Sequence, residues 1–495
     1  MIDQFLFVLP MLSVLSGAFV IMLLSHLKSI SLKRFNYIAI FFLLVASLTE
    51  FMLLGKNESL YLYENIFGHT FILDDFATLF DLMFTVGAIL TLLINSDYFK
   101  SRDYFTPEYF ALILFSVFGM MMLSHAHELV TVFIALEIAS LSIYTLVGFH
   151  KTKRVSSEAM MKYMVLGSMT GAFFMLGTAL IYASVGSTTL ENISLYVNAT
   201  PLEDMSLLVV GGSLLMITIM FKIGAVPFHS WVVDVYHGAP YPITMFMAST
   251  FKIAIFAIAL RLYIVNFAHI NDFWSEILQA ITILTLLGGS WLAISQKLVK
   301  RMLAGSSIVH SGYLLIGLSS IGLGSELAAP AVMFYLITYF LSSVGAFGIL
   351  SFIASQSKRQ MHYEDFKGFA NRRPYMALMM SIFMLSLAGF PSTIGFLGKF
   401  YIFTAAIESG QILLAGLGIL TAFISVFYYF KLIAMMYFYP TQSEQKILPI
   451  NISTFIIATL SIIVIWGGIG TSLVWFIPGA DSFIDIARQA ILSLK

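Results

Sequence analysis

Five lysines lie inside apolar runs long enough to cross a membrane: Lys162, Lys222, Lys252, Lys399 and Lys431. One acid, Glu137, stands at the middle of such a run, while Asp81 and Glu128 fall nearer the ends of theirs. A charge at the bilayer centre costs about 2.5–3.5 kcal/mol on insertion scales. With bases outnumbering acids, the lysines cannot all be charged and paired, so some are expected to be neutral part of the time. A buried lysine that takes up and gives back a proton is a relay element. Arg261 is a sixth base within a span; it lies near its helix end and is expected to snorkel to the surface. Lys162, about seven residues into its span, is close enough to that end to reach the surface as well.

The stretch Phe221–Lys252 holds two of these lysines and five helix breakers between them, Gly224, Pro227, Gly238, Pro240 and Pro242. His229 and His237 sit beside the breaks. A broken helix at membrane depth survives only where protein or a water-filled cavity surrounds it, and ionisable groups there are functional by default. The run LAGFPSTIGFLGKF repeats the device with Gly389, Pro391, Gly395 and Lys399. His310 is a lone histidine in another apolar run, as compatible with packing as with proton transfer. His125, His127 and Glu128 form the cluster HAHE. It has metal-ligand residue types, but its members crowd one helix turn and no second cluster completes it, so no metal is expected.

The elements that must position these groups are membrane spans. The chain has 495 residues, 59% hydrophobic and 11% charged, with no cysteine and a formal net charge of +0. That composition excludes a disordered chain and argues against a soluble globule. Apolar runs of more than about 18 residues exclude an outer-membrane barrel, whose strands are shorter and alternate. The neutral balance suggests no nucleic-acid partner. Without cysteine the chain cannot itself hold a thiolate-ligated iron–sulfur cluster, and no redox centre is expected in it. The first apolar run lacks a basic leader and a small-residue cleavage site, so it reads as a retained span.

The expected fold is all-α, a polytopic membrane protein of about 14 transmembrane helices in one domain. Three spans occupy 1–106, a first set of five 107–265, a second set of five 266–438, and the last helix with a tail 439–495. Basic residues set the orientation. Alternate connections carry Lys28, Lys33 and Arg34; Lys100 and Arg102; Lys151, Lys153 and Arg154; Lys297, Lys300 and Arg301; Lys358, Arg359, Lys367, Arg372 and Arg373; and Lys446. The opposite connections carry only Lys56, Arg488 and Lys495. The lysine-rich side is therefore expected in the cytoplasm and both termini outside. In each set of five the fourth span is interrupted and holds one lysine, and the fifth carries Lys252 or Lys431. Because five is odd, such a repeat is inverted in the membrane.

Several blocks, in order, resemble a known family. FKIGAVPFHSWVVDVYHGAPYPITMFMASTFKIAIF is similar to the seventh-to-eighth helix region of the antiporter-like, proton-translocating membrane subunits of respiratory NADH–quinone oxidoreductase (complex I). KRMLAGSSIVHSGYLL, FYLITYFLSSVGAFG, LSLAGFPSTIGFLGKFYIF and VTVFIALEIASLSIYTLVGF resemble further blocks of that family, and DVYHGAP resembles its subunit N branch. The resemblance covers most of the chain after about residue 70. It implies relay roles for Glu137, as partner of a lysine, and for Lys222, Lys252 and Lys399, with Lys162, His229 and His310 as further relay positions; Lys431 is a weaker candidate. It also implies a bacterial inner-membrane subunit whose partners are sister antiporter-like subunits and the other membrane and peripheral subunits. NADH or another donor, flavin, iron–sulfur clusters and quinone would all reside in those partners. The alternative within the same ancestry is a subunit of a multi-subunit cation/proton antiporter. A stand-alone substrate transporter would need one locus, whereas these bases are spread over several helices.

Overall fold

With no water in a bilayer core to satisfy backbone N–H and C=O groups, an apolar run must close its hydrogen bonds within itself, as a helix. The computed structural model describes residues 2–27, 30–55, 70–356, 361–440, 451–469 and 479–494, and its regular structure there is helical. In chain order the main helices are α1 (Ile2–Leu24), α2 (Leu32–Leu53), α3 (Asp75–Ile94), α4 (Glu108–His125), α5 (Leu129–Val147), α6 (Arg154–Val185), α7 (Ser206–Ile223) and α8 (Val232–Gly238). There follow α9 (Tyr241–Phe267), α10 (Asn271–Ser295), α11 (Val299–Ser320), α12 (Ala328–Gln356), α13 (Pro374–Ala388), α14 (Ile394–Glu408), α15 (Ile412–Phe438), α16 (Ile452–Ile469) and α17 (Ala480–Leu492). Among the described residues 12 helices are long and apolar enough to cross a membrane, and Val8–Leu24 and Pro374–Ala388 are shorter apolar helices. At 1.5 Å per residue, α13 and α14 are each too short for a core of about 30 Å. Joined through their break, they make one crossing.

Helices α9 and α11 are buried along their whole spanning windows, so they form the centre of the bundle. The outer helices α2, α6, α10, α15 and α16 expose large apolar side chains such as Phe41, Met161, Trp291, Phe423 and Phe455, a surface suited to lipid. Connections expected on one side of the membrane touch one another. Leu298 pairs with His362, and Tyr104 packs on His150 with ring centres 4.1 Å apart, among the lysine-rich connections. On the other side Phe71 pairs with Ala126 and Glu128 with Thr189. This agrees with a chain that alternates direction at each span. Lys28, Lys56, Lys358, Arg359, Lys446 and Lys495, which entered the orientation argument, lie outside the described residues.

Both expected interruptions are present. Helix α7 stops at Gly224, which takes φ 74°, and α13 stops at Gly389, with φ 84°. A Cβ at Gly389 would also come within 2.8 Å of the Lys399 side chain, so this position needs glycine on two counts. The carbonyls freed at the end of α7 find side-chain donors: Trp231 Nε1–H donates to the Phe221 carbonyl at 3.0 Å, and the Ser311 hydroxyl to Ile223 at 2.8 Å. The tail is a helix, α17, whose last turn meets the start of α3 through Ser493, which accepts the Phe76 N–H at 3.1 Å.

Arg261 does not snorkel. It is 2% exposed, on α9, and grips Asp74 with two nitrogens, Nη1 to Oδ2 at 2.7 Å and Nη2 to Oδ1 at 3.0 Å. Asp74 also caps α3 by accepting the Ala77 N–H at 2.7 Å. A fork-to-carboxylate pair of this geometry satisfies the charge where it stands, so the side chain gains nothing by reaching for water.

Candidate functional site

Lys222 lies in the last turn of α7, buried against α5. Its ammonium donates to Ser140 Oγ and to the Tyr144 hydroxyl, both at 2.8 Å, and stands 5.2 Å from the Tyr144 ring centre. Ser140 and Tyr144 are four residues apart, one helical turn, so α5 presents both to one guest. Glu137 is on the same helix, three residues before Ser140. The expected ion pair between Glu137 and a lysine is not formed: Lys222 bonds hydroxyls, and Glu137 Oε1 is buried without a hydrogen-bond partner. It faces Gly171 on α6, where a Cβ would stand 3.0 Å from Oε1.

Lys252 follows a π-helical turn, Met247–Phe251, which widens α9 just before it. Such single-turn bulges carry an unpaired carbonyl and concentrate at functional sites. The Lys252 ammonium donates to the Ser307 carbonyl at 2.6 Å and to Ser307 Oγ at 2.5 Å, and lies 5.1 Å from the Tyr339 ring centre. Lys399, in α14, donates to the carbonyls of Leu387 at 3.0 Å and Ala388 at 2.8 Å. These are acceptors that the break after α13 set free, so this lysine, and not Lys222, caps a half-helix. It stands 4.7 Å from the Tyr313 ring centre. Among the described residues no carboxylate pairs with Lys222, Lys252 or Lys399; all three ammonium groups rest on neutral oxygens and tyrosine rings.

Helix α11 connects two of these lysines. Ser307 holds Lys252; three residues on, His310 meets the Tyr335 hydroxyl through Nδ1 at 2.6 Å and the Tyr429 hydroxyl through Nε2 at 3.1 Å; three further on, Tyr313 faces Lys399. Residues at this spacing share one face of a helix. Tyr339 closes the gap, donating to Ser307 Oγ at 2.9 Å while its ring packs 4.8 Å from that of His310. Lys300 opens the same face, two turns before Ser307. It was counted above among surface lysines, yet it is 5% exposed, donates to the Ala239 carbonyl at 2.6 Å and lies 4.3 Å from the Tyr241 ring centre. Beside it a cavity of about 420 Å³ is lined by Arg102, His150, Lys153, His237 and Lys300. Burial, with Lys153 and Arg102 as lesser causes, holds the His150 ring below its ordinary value there. The hydroxyls of Tyr144, Tyr335, Tyr339 and Tyr429 had no signal in sequence; only their contacts single them out from 23 tyrosines.

The lesser candidates divide. His310 is in the row. Lys431 is half-buried, two residues after Tyr429, with its nitrogen 4.6 Å from the Tyr363 ring centre. His229 lies in the break between α7 and α8, half-buried, with Nδ1 unpartnered, and does not touch the row. Lys162 is a surface group in this chain: its side chain is 42% exposed and bonds Glu158 at 2.9 Å and Asp234 at 3.1 Å. The HAHE segment also departs from expectation. His125 alone turns inward, where Asp81 and Glu50 complete a buried group that local sequence could not bring together. Glu128 instead accepts from Thr188 at 2.6 Å.

Residues 126–425 match the family described as NADH:quinone oxidoreductase/Mrp antiporter, TM. The NADH-quinone oxidoreductase subunit N of Trichlorobacter lovleyi is 39% identical over 378 residues, 76% of this chain and 77% of that one. The subunit N of Chloroflexus aggregans is 35% identical over 92% of this chain and 93% of its own. The chain belongs to the subunit N family of NADH–quinone oxidoreductases. A chain of respiratory complex I from Thermus thermophilus, solved with bound aureothin, superposes with a TM-score of 0.78 at 27% identity, covering 93% of this chain and 96% of that one. The expected resemblance therefore holds beyond the blocks that suggested it, since subunit N relatives match along nearly the whole length. The family match spans α5 to α15 and contains Glu137 and every relay lysine and histidine considered above.

Proposed function

We propose that this chain carries protons across a bacterial inner membrane as the subunit N of an NADH–quinone oxidoreductase, through the row Lys222, Lys252, His310 and Lys399. The observation that carries this reading is the bonding of the three lysines to neutral oxygens alone. A lysine locked to a carboxylate is held charged; one resting on hydroxyls and carbonyls keeps acceptors in its charged form and leaves no buried anion when neutral. The α11 face supplies the hydroxyl and imidazole groups between Lys252 and Lys399. Glu137, unpaired beside the Lys222 site, is the group whose charge would bias that lysine. The basic cavity at Lys300 is the place for proton uptake from the lysine-rich side, taken here as cytoplasmic, with both termini outside. The two interrupted crossings, α7–α8 and α13–α14, stand as corresponding parts of two inverted five-span sets. Electron transfer, with its nicotinamide, flavin, clusters and quinone, belongs to partner subunits; subunit N relatives favour this over the cation/proton antiporter alternative.

The test is proton pumping by the assembled complex in vesicles. Lys222→Ala, and separately Glu137→Ala, are expected to lower pumping sharply while assembly is retained. An assembled Lys222→Ala complex that pumps normally would reject the row.

A further inference from the structure

We propose that Glu50, Asp81 and His125 form a second proton-holding site, at the end of the bundle opposite the lysine-rich connections and apart from the lysine row. Glu50 is near the end of α2, Asp81 in the second turn of α3 and His125 the last residue of α4, and they are 2%, 0% and 1% exposed. One ligand atom from each lies within 4.8 Å of the others.

The hydrogen bonds count the protons. His125 Nδ1 stands 2.7 Å from the Ile72 carbonyl, which only accepts, so Nδ1 carries a hydrogen. Nε2 faces Asp81 Oδ2 at 3.2 Å. Two lone pairs would repel across that gap, so it holds one proton, on the imidazole or on the carboxyl. Asp81 Oδ1 accepts from Ser124 Oγ at 2.5 Å, so both oxygens of Asp81 are engaged. Glu50 is the remaining member, and its Oε2 is buried with no hydrogen-bond partner. Ionised, it would leave a second buried negative charge with no cation to answer it, a state that costs several kcal/mol. The surrounding charges offer none: Arg261 is bound to Asp74, and Asp75 accepts the Gly55 N–H at 3.0 Å. Nearby His127 has Nδ1 unpartnered. The neutral arrangement is therefore Glu50 as carboxylic acid, with one further proton shared by Asp81 and His125. A divalent ion balancing two carboxylates is the competing occupant; the two donors already seated on Asp81 favour protons.

The site's place suggests its use. The segment that supplies the Ile72 carbonyl runs directly into Asp74, which binds Arg261 on α9, the helix of Lys252. Protons leaving the row toward that face would meet this site, which releases one at a time: the shared proton departs, the group passes to a single net negative charge, and a proton from the row restores it. That role rests on the proposed proton path; the protonation of Glu50 does not.

The experiment is infrared spectroscopy of the intact complex in lipid, with its metal content and its pumping measured on the same preparation. Wild type is expected to show a protonated-carboxyl C=O band from a buried acid. Glu50→Gln, which keeps shape and a donor, is expected to lose that band and to pump severalfold fewer protons per electron. Should Glu50→Gln fail to assemble, Asp81→Asn is read for the same band, which is expected to shift because its neighbour has changed. An unchanged band would overturn the site, as would stoichiometric divalent metal in wild type that the variant lacks. Lost pumping in Lys222→Ala with the Glu50 band unaffected by Glu50→Gln rejects this site alone. Normal pumping in Lys222→Ala with the band lost in Glu50→Gln rejects the row alone.

Discussion

Lys399 separates two things a buried lysine can do. Its ammonium caps the two carbonyls freed at the end of α13, which a fixed positive charge would do equally well, and it faces Tyr313 at the end of the α11 row, which suits a proton carrier. Arg does not deprotonate in proteins and can still donate to carbonyls. Proton carriage needs a side chain that changes charge, so Lys399→Arg and Lys399→Met are both expected to impair pumping, even if Arg preserves assembly. Pumping and quinone reduction measured in both assembled variants decide the matter: full rescue by Arg would leave Lys399 an electrostatic cap. The same distinction explains the tyrosines. A hydroxyl both gives and takes a hydrogen bond, so Tyr144 beside Lys222 and Tyr335 beside His310 serve either charge state of their neighbour.

At the scale of the element, the interrupted helices and the paired ones have different tasks. Breaks at Gly224 and Gly389 free carbonyls inside the bundle, and the lysine or hydroxyl that answers them is thereby fixed in place. The Arg261–Asp74 pair does the opposite: it ties α9 to the start of α3 with no group left to titrate freely. Removing one partner of a buried pair leaves the other charge uncompensated, at a cost of about 3–5 kcal/mol. Arg261→Met is therefore expected to lower the thermal stability of the assembled complex or prevent assembly. Arg261→Met combined with Asp74→Leu is expected to recover much of that loss, because no orphan charge remains. A double variant no more stable than the single one would show that the pair does more than balance charge.

For the whole molecule the orientation is open to direct measurement. The native chain has no cysteine, so a single introduced one reports without background. A cysteine at Ser187 is expected to react with an impermeant reagent from outside the cell, and one at Glu364 only from the cytoplasm. The reverse pattern would turn the row around and make the basic cavity at Lys300 an exit.

Hydropathy and composition were enough to place the spans, because transfer from water to lipid depends on what a segment is made of and little on what lies beside it. The breaks were legible for the same reason: Gly224, Pro227, Gly389 and Pro391 act on their own backbone. Lysines deep in apolar runs were equally plain, and Lys222, Lys252 and Lys399 are indeed buried. What a side chain faces is another matter. Lys300, one residue into α11, looks in sequence like its exposed neighbours, and is buried because Ala239 and Tyr241 close over it. Lys162 looks buried and is exposed, since α6 turns it toward Glu158 and Asp234. Arg261 looked free to snorkel until Asp74, 187 residues away, met it. The group Glu50, Asp81 and His125 draws on three helices whose members lie dozens of residues apart. Such partnerships are set by which faces of neighbouring helices pack together, a property of pairs of segments that no local average along one chain contains.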